Sequence, residues 1–157
     1  MAWSAALLAM LVILFSVANA QNQCPQNLGS CKCIRPSVPG AALMPVLDCS
    51  QVSDGSDFLQ IEGLRTVQSG GMPVFSQIII RRSQLEFLPS DAFGIARADE
   101  IIIENNPQLE KIEARAFGMS VNPKLISIRS NPLLETIEYE GFDRSVMRNT
   151  YLIMLSW

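Results

Sequence analysis

Not one of the 157 residues is a histidine. That absence removes the commonest general base, the commonest metal ligand and the usual partner of a nucleophilic Ser or Cys. Charge is scarce too. Charged residues make up 17%, and 12 basic against 15 acidic side chains leave a formal net charge of -3. No basic surface is therefore available for nucleic acid. No Asn-x-Ser/Thr sequon occurs, so glycans of that type would mask neither face. Phosphate loops, dinucleotide fingerprints and calcium loops are also missing. Glu100, Glu104 and Glu138 are scattered along the chain, and nothing sets Lys32, Lys111 or Lys124 beside a strained nucleophile. The expectation is a non-enzymatic protein with no cofactor and no metal.

Only one long apolar stretch is present, Ala5 to Val17, in a first 20 residues that hold no charged side chain. Ala18-Asn19-Ala20 follows as a small-x-small site, and polar sequence begins at Gln21. This is the layout of a secretory signal peptide cleaved after Ala20, with an uncleaved anchor as the alternative. The stretch is too short to span a bilayer comfortably, and no second one follows. The mature chain is expected to be secreted and free of membrane.

The cysteines, Cys24, Cys31, Cys33 and Cys49, all lie early in that mature chain. Four thiolates could hold zinc, but an oxidising compartment favours disulfides. Of the three possible pairings, one needs a strained Cys31–Cys33 bridge across a single residue; spacing does not choose among the rest.

The second half repeats itself. Ile78-Ile79-Ile80 is followed by Leu85, Leu88, Ala92 and Phe93. Ile101-Ile102-Ile103 is followed by Asn106-Pro107, Leu109, Ile112, Ala116 and Phe117. Ile126-Ser127-Ile128 is followed by Asn131-Pro132, Leu134, Ile137, Gly141 and Phe142. Asn106 to Asn131, Leu109 to Leu134 and Ile112 to Ile137 are each 25 residues apart. Ser83 stands in the first copy where the others carry Asn. Alternating isoleucines predict short strands with one face inward. The Asn column predicts side-chain bonds to backbone left open by the bend, and the Phe column a packed spine.

These columns match the pattern L-x-x-L-x-L-x-x-N-x-L, and the chain resembles extracellular leucine-rich-repeat proteins. Cys24-Pro25, Cys31-x-Cys33 and Val46-Leu47-Asp48-Cys49 resemble the N-terminal disulfide cap of that family. The resemblance implies pairing Cys24 with Cys33 and Cys31 with Cys49, and a capping strand over residues 46–49. It also implies an α/β solenoid, a right-handed coil with a short parallel sheet on its concave face. The repeat style is similar to secreted arthropod members, the non-catalytic subunit of a shrimp luciferase among them, and to ectodomains of glycoprotein hormone receptors.

The expected organisation is a signal peptide (1–20), a cysteine cap (21–50), a degenerate first coil or linker (51–73), three repeats (74–147) and the start of a fourth (148–157). The degenerate coil would gather Phe58, Leu59, Ile61 and Leu64, with Ser69-Gly70-Gly71 as a joint. Tyr151 to Leu155 falls where a fourth strand is due, and no C-terminal cap follows it. Either a partner or a second copy covers that end, or the sequence is part of a longer protein, the reading favoured here.

Such solenoids bind partners on the concave sheet. The outward columns are Gln77/Glu100/Leu125, Ile79/Ile102/Ser127 and Arg81/Glu104/Arg129. The candidate protein-binding residues are accordingly Gln77, Ile79, Arg81, Glu100, Ile102, Glu104, Ser127 and Arg129. Alternating charge in the last column predicts either a self-satisfied ladder or a charged strip beside an Ile79/Ile102 patch. The expected function is non-enzymatic protein binding with the partner unidentified. A scaffold subunit of a secreted enzyme complex or part of a receptor ectodomain is the alternative.

Overall fold

The computed structural model describes residues 24–37, 43–67, 71–117, 123–138 and 151–155. The expected signal peptide, Ser69, Gly70, Phe142 and Trp157 lie outside them.

Runs of β-branched isoleucine favour extended chain, and the longest strands fall on them. The strands are β1 (Lys32–Ile34), β2 (Val46–Asp48), β3 (Val74–Arg81), β4 (Phe87–Leu88), β5 (Arg97–Glu104), β6 (Lys111–Ile112), β7 (Leu125–Arg129), β8 (Thr136–Ile137) and β9 (Tyr151–Leu155). They form a six-stranded sheet in the order β1-β2-β3-β5-β7-β9 and a three-stranded sheet in the order β4-β6-β8. β1 runs antiparallel to β2, and every other pairing is parallel. From β3 onward the chain alternates between the two sheets. Helix is sparse among the described residues: a 3-10 segment at Gly55–Gln60 and a single α-turn at Glu62–Arg65.

The core fills the space between the sheets. Ile78, Ile80, Ile101, Ile103 and Ile126 point inward from the large sheet, and Leu85, Leu88, Leu109 and Ile112 meet them from the return passages. Phe58, Phe93 and Phe117 stack beside them. Phe58 meets Phe93 edge-on at 5.8 Å between centroids, and Phe93 lies 6.3 Å from Phe117. Phe58 thus joins the Phe column from a stretch whose sequence shows no clear period. Leu59, expected in the core with it, is instead 49% exposed. The 3-10 segment repeats every three residues, so Phe58 and Ile61 share the inner side while Leu59 turns out.

The N-terminal end is tied by two disulfides, Cys24–Cys33 and Cys31–Cys49, the pairing that the family resemblance implies. All four thiols are consumed, which leaves no thiolate set for zinc. The bridges hold β1 against β2, and β2 continues the sheet by pairing Leu47 with Ile78.

Each of the three central strands leaves through a left-handed residue that is not glycine: Arg82 (φ 54°), Asn105 (φ 57°) and Ser130 (φ 54°). Such a bend breaks the sheet ladder, and buried asparagines repair it. Asn106 Nδ2 donates to the Ile80 carbonyl at 3.1 Å, and Asn131 Nδ2 donates to the Ile103 carbonyl at 3.0 Å. Asn106 Oδ1 accepts from Ser83 N and Ser83 Oγ, and Asn131 Oδ1 accepts from Asn106 N. Ser83 substitutes for Asn at the column's start because there it only needs to donate.

Candidate functional site

The outer face of the large sheet carries the residues singled out in the sequence. Register places Gln77 beside Glu100 and Glu100 beside Leu125. Ile79, Ile102 and Ser127 form the next row, and Arg81, Glu104 and Arg129 the third.

Within the first row, Gln77 Nε2 donates to Glu100 Oε2 at 2.7 Å. The second row is less open than an outward column suggests. Ile102 is 8% exposed and Ser127 4%, so the expected Ile79/Ile102 patch offers chiefly a half-covered Ile79. Ile102 lies on β5 between β3 and β7, about 4.8 Å from each, and Ser127 on β7 donates through Oγ to Glu104 on β5.

The third row is a buried carboxylate held between two guanidinium groups. Glu104, expected in an exposed strip, is only 7% exposed. Its Oε1 accepts from Arg129 Nε at 2.8 Å and from Ser127 Oγ at 3.1 Å, and Arg129 Nη2 also bonds to it. Arg81 Nε approaches its Oε2 at 3.3 Å. Burial pushes the Glu104 carboxyl up. The Arg129 and Ser127 hydrogen bonds and the two arginine charges outweigh it and hold the group below its ordinary value. The arginine side chains remain 45% and 46% exposed. One anion thus serves two cations, and a net positive charge faces outward on a chain whose overall charge is -3.

The residues after this row line an open depression of about 440 Å³: Arg82, Gln84, Asn105, Pro107, Ser130 and Pro132. Arg82 is exposed, and its side chain has no bonding partner among the described residues. Sequence reading missed this hollow because its walls come from bends between columns. The one available sign was the pair of Asn-Pro steps, which supply Pro107 and Pro132.

A second polar cluster lies on the smaller sheet. Lys111 Nζ meets Glu138 Oε1 at 2.6 Å and Glu113 Oε1 at 3.9 Å. The hydrogen bond with Glu138 raises the Lys111 ammonium above its usual range, and the same bond lowers Glu138. Glu113 and Glu138 also accept from backbone N–H groups of Ser90 and Ala114, one turn of the chain earlier. These carboxylates are absorbed in stitching adjacent passages together.

At the far edge of the large sheet, β9 exposes Tyr151, Leu152, Ile153 and Met154. Among the described residues no helix is long and apolar enough to cross a membrane. The chain matches no protein-family model, no curated protein and no solved structure.

Proposed function

We propose that this chain is a secreted leucine-rich-repeat protein that binds another protein through the concave face of its solenoid and performs no catalysis. The observation that carries the reading is the in-register face of β3, β5 and β7, where three rows of side chains turn outward. Parallel strands spaced by one repeat and alternating with a second sheet support the solenoid assignment. The disulfides and the apolar leader ending at Ala20 support passage through an oxidising export route.

Site-specific photocrosslinking tests it. A photoreactive residue is installed at Ile79 on the proposed concave face, and separately at Glu110 on the opposite side. Each protein is then irradiated in extracellular fluid of the source tissue. A discrete protein adduct at Ile79 that is absent at Glu110 supports the reading. Equal labelling at both positions, or none at Ile79, overturns it.

A further inference from the structure

We propose that the strand-exit edge of this face takes an acidic segment of a protein partner, with Arg81 and Arg129 gripping a carboxylate and the hollow beside Arg82 receiving the flanking residues. The proposal deepens the binding role suggested above and rests on it.

Three observations converge. The Arg81 and Arg129 guanidinium groups approach Glu104 from β3 and β7, the strands on either side of β5, and remain about half exposed. Arg81 spends only its Nε on Glu104, and Arg129 its Nε and Nη2, so further N–H donors are left over on each. A guanidinium already steered by one carboxylate loses little freedom when it meets a second, which favours planar, two-pronged capture. The adjoining depression then supplies shape. Arg82 follows Arg81, Ser130 follows Arg129, and Pro107 and Pro132 wall a space of about 440 Å³.

Charge selects the kind of partner. Three arginines, Arg81, Arg82 and Arg129, gather at this edge, and two of them pair with the buried Glu104. The other carboxylates on this face, Glu100 on β5 and Asp48 on β2, already accept from Gln77 Nε2 and from the Ser50 N–H. Elsewhere acidic side chains outnumber basic ones, so a long polyanion such as a sulfated glycan would meet repulsion beyond the notch. A single acidic side chain on a peptide segment fits a positive spot of this size.

The test uses the full chain and a fluorescent synthetic peptide of alternating glutamate and serine. The controls are its glutamine counterpart and a heparin oligosaccharide. Fluorescence anisotropy should show binding of the acidic peptide alone, weakening as salt is added. Arg81→Gln and Arg129→Gln should each weaken it about tenfold, the scale expected for losing one charge-assisted bond. Arg97→Gln, at the opposite end of β5, should leave it unchanged. Because Arg129→Gln also disturbs Glu104, Arg82→Gln serves as a variant outside the ion pairs and should weaken binding severalfold. In the unmodified protein, the Nε–H resonances of Arg81 and Arg129 should shift as peptide is added. Equal loss in Arg97→Gln, unmoved arginine resonances, or preference for heparin overturns the proposal. If Ile79 crosslinks a partner equally well in Arg81→Gln and Arg129→Gln proteins, the face binds without this grip and only the present inference falls. If the acidic peptide binds as described while Ile79 captures nothing, the broader reading falls instead.

Discussion

Asn106 donates through Nδ2 to Oδ1 of Asn131 at 3.1 Å, so the carboxamide that closes one bend also anchors in the next. Both side chains are buried, and each also donates to a strand carbonyl that its bend would leave open. The column is therefore a continuous polar seam inside an apolar core, and its links depend on one another.

Asn106→Ala strips that seam at its centre. It leaves the Ile80 carbonyl and the Ser83 N–H without their partner in a fully buried setting. The expected loss is about 2–4 kcal/mol, from two orphaned groups at about 1–2 kcal/mol each. Ser83→Ala, which removes one donor and leaves the backbone bond, should cost about 1 kcal/mol. Urea unfolding of the three proteins checks the ranking.

Phe93 sits between Phe58 and Phe117 with no exposed surface. Phe93→Ala opens a cavity in the middle of the stack and should cost about 3–5 kcal/mol. Phe117→Ala falls in the same range, since Phe117 is 2% exposed. Leu59→Ala, by contrast, should lie within about 0.5 kcal/mol of the parent. A melting temperature unaltered by Phe93→Ala would refute the packing described.

Glu104 stays charged in the fold at pH values where the unfolded chain has already taken up a proton. The stability it adds is fully present above its ordinary value of 4.5 and drains away as pH falls through the lower folded value. Glu104→Gln should cost about 1–2 kcal/mol near neutrality, the half-exposed arginines being screened by water. It should also flatten the acid limb of stability against pH, and chemical denaturation at stepped pH reads both effects. Lys111 acts at the other limb: its raised value means its contribution is complete below 10.5 and is lost at higher pH.

Removing the Cys31–Cys49 bridge as a double alanine variant should cost about 3 kcal/mol, since it closes 18 residues between buried partners. The Cys24–Cys33 bridge closes 9 residues and should cost less, about 2.5 kcal/mol. Thermal unfolding without reductant separates the two.

The sequence announced some of this architecture and concealed the rest for identifiable reasons. Strand positions were legible because isoleucine recurs at alternate places every 23 to 25 residues, as in Ile78, Ile101 and Ile126. The polar seam was legible from Asn106 and Asn131, whose short amides suit bends. Phe58 was legible as part of a degenerate coil, but its place in the Phe column was hidden because residues 51–72 depart from the period, and only three-dimensional stacking reveals it. The exit bends were hidden as well: Arg82, Asn105 and Ser130 adopt a conformation that glycine normally advertises. The burial of Glu104 depends on arginines lying across it from both neighbouring strands. Alternating sign hinted at the pairing, but solvent access is settled only when three strands are assembled.

The placement of both disulfides at one end of the sheet has a mechanical consequence. Within the large sheet each strand is hydrogen-bonded only to its immediate neighbours in the order, and the two disulfides lie at the β1–β2 end. Under tension applied through β9, pairing would be lost strand by strand from β9 through β7 to β5. Extension would halt at Cys49, because the covalent links hold the segment between Cys24 and Cys49 at fixed length. A single molecule stretched in an optical trap would therefore give a sawtooth ending in an inextensible stub, and added reductant would release that last segment.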